Sequence, residues 1–134
     1  MSLLTDCRTH LLGDTTVAGL VGSRIFYGAL PQAIGMPAVT LELSDSRMES
    51  RTLSATGNVY RSEMDILAYG NSEPSVASLG DAIYDRIEFD SGSWGTTTIQ
   101  RAMVEYWNDL IQDPRDGGQA WRFLRVLSCV VWHE

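Results

Sequence analysis

The side chains most often used for nucleophilic or metal chemistry are scarce here: His10 and His133, Cys7 and Cys129. A nucleophile needs a base within hydrogen-bond reach, so a Ser or Cys must sit beside a His. Cys7 and His10 lie three apart, on one side of a helix. Cys7 falls on the apolar stripe and His10 on its edge, which is the pattern of a packed helix rather than an activated thiol. His133 is next to last, where a chain is expected to fray. No Cys-x-x-Cys or His-x-x-x-His spacing is present, so no zinc site is expected. Glu63 and Asp65 point the same way on one strand, as paired acid–base carboxylates would. Arg61 on the same side favours a charge-balanced, solvated face instead.

The glycine-rich stretches "GSWG" at 92–95 and "DGG" at 116–118 lack the spacing of a phosphate cradle and are explained by turns. "AWRFLR" at 120–125 mixes aromatics with Arg as a base-stacking platform would. The chain carries a net charge of −7, and all ten of its cations are Arg. That balance opposes nucleic-acid binding through clustered cations and favours a packed core strand for 120–125. Arg without Lys also suits planar, bidentate contacts at interfaces. These features show no convergent polar cluster of the kind an enzyme of this size would carry, and no metal-site spacing.

The elements that must position these residues follow from periodicity. At 134 residues the chain suits a single domain, 1–134, with one core. No apolar run approaches a membrane span, and the start "MSLLTDCRTHLLGD" is unlike a signal peptide, so a cytoplasmic location is expected. Two buried free thiols are expected rather than a disulfide. Leu4, Cys7 and Leu11 predict a helix over 3–12 with Gly13 as its stop. Asp14 caps a second helix that ends at Gly22. A short extended run at 24–27 is followed by an elbow in which Pro31 and Pro37 forbid helix. Val39, Leu41 and Leu43 alternate with polar residues as a half-buried strand.

Residues 44–58 read as a long polar hairpin connection, either a plain loop or one into which the strands extend, and 59–69 as the partner strand. Asn71 or Ser72 caps a helix with Pro74 in its first turn and Val76, Leu79, Ile83 and Ile87 on its buried stripe. Gly80 weakens that helix unless it permits close approach to the sheet. "DSGSWG" reads as a turn, 97–107 as a strand and 108–118 as a loop. The closing stretch from residue 119 is apolar on both faces, which predicts a strand central in the sheet or one covered on both faces. The expected fold is α+β: an antiparallel sheet of about four main strands, with the N-terminal helices and one long helix packed on one face.

The ordered set "VAGLVGSRIFYGALPQAIGMPAVTLEL", "YRSEMDILAYG", "SVASLGDAIYDRI" and "FLRVLSCVVW" resembles the tail terminator, or tail completion, family of long-tailed bacteriophages. The resemblance implies a virion protein of the tail and neck, assembled in the host cytoplasm. It implies a homo-oligomeric ring, a hexamer, that ends the tail tube and meets the head connector. Implied partners are further copies of the chain, the tail tube protein and the connector, with DNA passing through unbound; no cofactor and no membrane are implied. Within the 44–58 segment, Arg47, Met48, Arg51 and Leu53 are the candidate assembly contacts, against a plain solvent loop as the alternative. Two other readings stay open: another neck component such as a head-closure protein, and a small cytoplasmic enzyme or ligand-binding domain with a cryptic site.

Overall fold

The computed structural model describes residues 2–31, 33–50, 58–112 and 122–134. In chain order the elements are α1 (Leu3–Leu12), α2 (Thr15–Val21), β1 (Ile25–Tyr27), β2 (Ala38–Ser50), β3 (Val59–Gly70), α3 (Glu73–Ile87), β4 (Gly92–Trp94), β5 (Thr97–Gln112) and β6 (Arg122–His133).

Each helix begins where a short polar side chain satisfies first-turn N–H groups that have no partner within the helix. The Ser2 hydroxyl accepts from the Thr5 N–H at the head of α1. Asp14 accepts from the N–H groups of Thr16 and Val17 at the head of α2. Ser72 accepts from the Ser75 N–H at the head of α3, where Pro74 occupies the first turn. The apolar stripe of α3 is buried as its spacing predicts, through Val76, Leu79, Ile83 and Ile87.

The sheet has six strands in the order β1-β2-β3-β6-β5-β4. This corrects the expected four-stranded antiparallel sheet in two ways. β1 pairs with β2 in parallel, Ile25 opposite Val39 and Tyr27 opposite Leu41, because the proline elbow carries the chain back along the same direction. β4 forms where only a turn was expected, pairing Gly92–Trp94 with Thr97–Ile99. Two arginines fasten the segment around the elbow: Arg24 donates to the carbonyls of Pro37 and Leu20, and Arg8 to those of Ile25 and Ser23.

Both long hairpins run further than expected. β2 continues to Ser50 and pairs with β3 past a bulge after Leu43. β5 continues through 108–112, read from sequence as loop, and its pairing with β6 includes Asp109 opposite Arg125 and Ile111 opposite Phe123. β6 lies between β3 and β5, hydrogen-bonded on both edges, the central place expected for a strand apolar on both faces. His133 is therefore not frayed. Its Nε2 lies 2.8 Å from the Ser62 hydroxyl and its ring stacks on Tyr60.

α1, α2 and α3 contribute Leu3, Cys7, Leu11, Val17, Val21, Leu79, Ile83 and Ile87 to one core with the facing side of the sheet, including Met64, Ile66, Leu127 and Cys129. Cys7 and Cys129 are buried free thiols, and burial pushes Cys7 up to about 12. His10 packs in the same layer, stacked on Trp94, with its Nε2 2.9 Å from Asp90. Asp90 also accepts from the Trp94 indole N–H at 2.7 Å. Burial and the neighbouring Arg86 outweigh Asp90 and hold His10 below its usual value, and its Nε2 also lies 3.4 Å from the Arg86 carbonyl oxygen.

A buried carboxylate ties the first helix to the β4–β5 turn. Asp6 accepts hydrogen bonds from the hydroxyls of Thr96 and Thr97. Gly95, at φ +56°, leaves room for it: a Cβ there would collide with the carboxylate. Burial acts to raise the Asp6 carboxyl, but the hydrogen bonds from Thr97 and Thr96 prevail and hold it below its ordinary value. The unfolded chain, titrating near ~3.9, therefore takes up the proton first as pH falls. The stabilisation is whole above that pH and is lost as pH drops through the folded value. Asp6→Ala should cost about 1–3 kcal/mol at neutral pH, the range for a hydrogen-bonded charged group. Thermal unfolding should show the gap to the wild type narrowing below about pH 4.

Candidate assembly interface

The two long hairpins extend beyond the short outer strands, so the sheet has single-sided stretches at both margins. β1 covers β2 only at Val39–Leu41. β4 covers β5 only at Thr97–Ile99, after which the Ala102 N–H bonds to the Asp90 carbonyl and the Val104 N–H to a Glu88 carboxylate oxygen. Among the described residues, β2 from Glu42 onward and β5 from Glu105 onward have a strand neighbour on one side only. Such edges present unpaired N–H and C=O groups to any incoming chain.

The β5 margin is also apolar. Tyr106, Trp107, Leu110 and Ile111 are all exposed. By register, Tyr106 and Leu110 share the face of Ser128 and Leu124, while Trp107 and Ile111 share the helix-side face of Leu127 and Phe123. Four large apolar side chains are thus exposed along one strand segment, two on each face, and exposed apolar surface of this kind marks binding surfaces.

This arm is fastened to the body by one buried cation. The Nε of Arg125 donates to Asp109 at 2.7 Å, and Nη1 donates to Asp81 on α3 at 2.9 Å. Its guanidinium stacks 4.3 Å from the Trp107 ring. Hydrogen bonding to Asp109 raises Arg125 above its ordinary value despite its burial. Gly80 makes the arrangement possible, because a Cβ there would lie 2.5 Å from the Arg125 Cδ. The close approach that excuses this glycine is to the Arg stem crossing the sheet. Next to the clamp, Val76, Leu110, Ile111 and Phe123 line a cleft of about 150 Å³, together with Glu73 and Asp109.

On the face away from the helices, Arg61 lies 2.7 Å from Glu63 and 3.8 Å from Glu105, over the Trp132 ring. Asp65 accepts from the Ser128 hydroxyl. Glu63 and Asp65 therefore serve a charge-balanced face. Among the described residues, no group of three or more His, Cys, Asp or Glu is placed to hold a metal ion. No helix among them is long and apolar enough to cross a membrane.

The family of the tail completion protein gp17 matches residues 5–126 of this sequence. The chain belongs to that family. It is a structural protein of the phage virion tail. Among solved structures, a chain from the virion of a native gene transfer agent (GTA) particle shares the fold with a TM-score of 0.64. It is 13% identical, with 99% of this chain and 96% of that chain covered. No curated protein matches.

Of the assembly contacts expected for this tail protein, Arg47 lies in β2 opposite Arg61, exposed and 3.9 Å from Asp45. Met48 pairs in register with Tyr60. Arg51 and Leu53 lie outside the described residues. The β5 arm lies outside those contacts, because Asn108-Asp109 reads locally as the start of a loop. The signal was the apolar pair Leu110-Ile111 immediately after it. Arg125→Ala should cost about 2 kcal/mol, below the cost of breaking a fully buried pair because both carboxylate partners are partly solvated. Hydrogen exchange should accelerate at Tyr106–Ile111 while the β3 amides stay protected.

Proposed function

We propose that this tail protein assembles head to tail into a hexameric ring on the end of the tail tube, stops tube growth and receives the head connector. The observation that carries the reading is that the two single-sided strand margins, β2 from Glu42 and β5 from Glu105, lie on opposite sides of one sheet. Two different patches per subunit give a heterologous contact, which closes into a ring if the rotation between neighbours permits. The family membership supplies the place, the tail, and the margins supply a way to self-associate there.

In this reading the chain acts by shape and needs no enzymatic step or cofactor. Joints between copies and to the tail tube protein and connector are made by the hairpin margins. The Arg47 and Met48 end of β2, with Arg51 and Leu53, forms the contact with tube or connector. The net charge of −7 suits a channel for DNA, since anionic walls repel phosphate and prevent sticking. A ring whose lumen proved basic would remove that part of the proposal.

The experiment is complementation of a phage that lacks this chain. Without it, tails should exceed normal length and heads should stay unjoined; restoring it should correct both. Native mass spectrometry of tail ends should give a closed multiple of the chain. Normal tail length and joining in its absence would refute the reading. A chain deleted over residues 46–56 should still fold but fail to complement; normal length and joining with that variant would refute the contact assignment.

A further inference from the structure

The two single-sided margins lie at diagonal corners of the sheet. Glu42 pairs with Asp65, Asp65 with Ser128 and Ser128 with Tyr106, so Glu42 and Tyr106 stand at one level. Among the described residues, β2 is bare from that level towards Ser50, and β5 from that level towards Gln112. β2 and β5 run in opposite directions, because β3 and β6 alternate between them. The bare lengths therefore point to opposite ends of the sheet. Each is closed at its other end, β2 by β1 up to Leu41 and β5 by β4 and the bonds from Ala102 and Val104. At the start of the β2 margin, Leu43 is 47% exposed although it shares the helix-side face of Met64. At the far end of the β5 margin, Val76, Ile111 and Phe123 line the cleft of about 150 Å³ on the same side of the sheet. Its rim carboxylate, Asp109, is held through both oxygens by Arg125, so what the cleft lacks is apolar cover.

We propose that the β5 margin of one copy pairs antiparallel with the β2 margin of the next, and that Leu43 of the second seats in the cleft of the first, beside Ile111. This inference rests on the ring reading above and names its joint. The margin calls for a strand running against β5, with a free edge of similar length and an apolar side chain on the helix side. The chain itself supplies that strand in β2. Because β2 and β5 run in opposite directions, copies related by rotation about one axis meet antiparallel at every joint. By register Ile111 stands beside the level of Ala38, at the β1 end of β2. Setting it against Leu43 slides neighbouring copies along the strands by roughly six residues, about 20 Å at ~3.3 Å per residue. β2, β3, β6 and β5 of each copy occupy about 19 Å at ~4.8 Å spacing. Such a repeat closes level when the strands tilt by about 45°, next to the ~35–45° of closed barrels. The short strands β1 and β4 act as stops that fix the stagger. The joint uses the main chain of β2, which leaves the Arg47 side chain to the tube or connector.

Charges placed at the contact separate this role from a structural one. Leu43 and Ile111 are both exposed in the single chain, so Leu43→Arg and Ile111→Glu should each melt near the wild-type temperature. Each alone leaves an unpaired charge in the joint and should lower ring assembly on tails roughly tenfold or more. The two changes in one chain should restore assembly, since each joint then carries both charges. Wild-type levels of ring from either single variant would overturn the proposal, and so would the absence of recovery in the double variant.

The decisive test combines Leu43→Cys with Ile111→Cys and oxidises assembled tails with copper phenanthroline. Within one chain β3 and β6 lie between these positions, a separation of ~14 Å, whereas the Cα atoms of a disulfide lie ~4.4–6.8 Å apart. A ladder of covalent multimers of this chain alone is expected from the double variant, and none from either single variant. A dimer formed by Leu43→Cys alone would mean that like edges meet, and would overturn the joint. If wild-type rings are seen on tails but the double variant gives only monomer, or links to a different protein, the joint is refuted and the ring stands. If the wild type forms no ring on tails, the ring reading and the joint fall together.

Discussion

The packing of the whole chain depends on burying β6. Its residues Leu127, Cys129 and Val131 face the helices, while Leu124 and Val130 on its opposite face are also buried. A strand apolar on both faces reads as one buried on both sides, which favours a central place in the sheet. β3 and β5 flank it along its length. The last strand in sequence therefore lies between two earlier ones, and the β2–β3 and β5–β6 hairpins must flank it. β1 and β4 are only three residues each and cover only the ends nearest the elbow and the α3–β4 turn. The margins that remain single-sided follow from that mismatch in strand length.

Electrostatics then decides which parts of the margins are rigid. Arg125 projects from β6 to grip Asp109 on β5 and Asp81 on α3, so one guanidinium unites the central strand, the arm and the longest helix. Arg61 does similar work on the other face with Glu63 and Glu105. Paired this way, the carboxylates become fasteners. An acidic chain with only Arg as its cation suits such joints, because the planar fork meets carboxylates in fixed geometry. Rigid margins limit the ordering cost of any contact they make.

The sequence disclosed the parts of the fold governed by periodicity. The stripe on α3, the caps at Asp14 and Ser72, the alternation of β2 and β3 and the central place of β6 are all visible in residue spacing. What escaped was governed by tertiary partners. Asn108 and Asp109 have turn chemistry, and only the distant Arg125 makes Asp109 a strand residue. β4 is too short to show a period. His133 looks like a frayed end until Ser62 and Tyr60 are brought beside it. The parallel β1–β2 pair depends on where the elbow delivers the chain, which no local pattern encodes. The candidate interface was legible only as a polar segment around Arg47 and Met48. The apolar arm was hidden inside what local residue types marked as a loop.

The central claim is that the apolar β5 margin exists to be covered by another chain during assembly. Hydrogen–deuterium exchange on the isolated chain and on the same chain in purified tails measures this directly. The account predicts strong added protection at Glu105–Ile111 in tails, with little change in the β3 and β6 amides that already pair within the sheet. Equal exchange of that segment in both samples would contradict it.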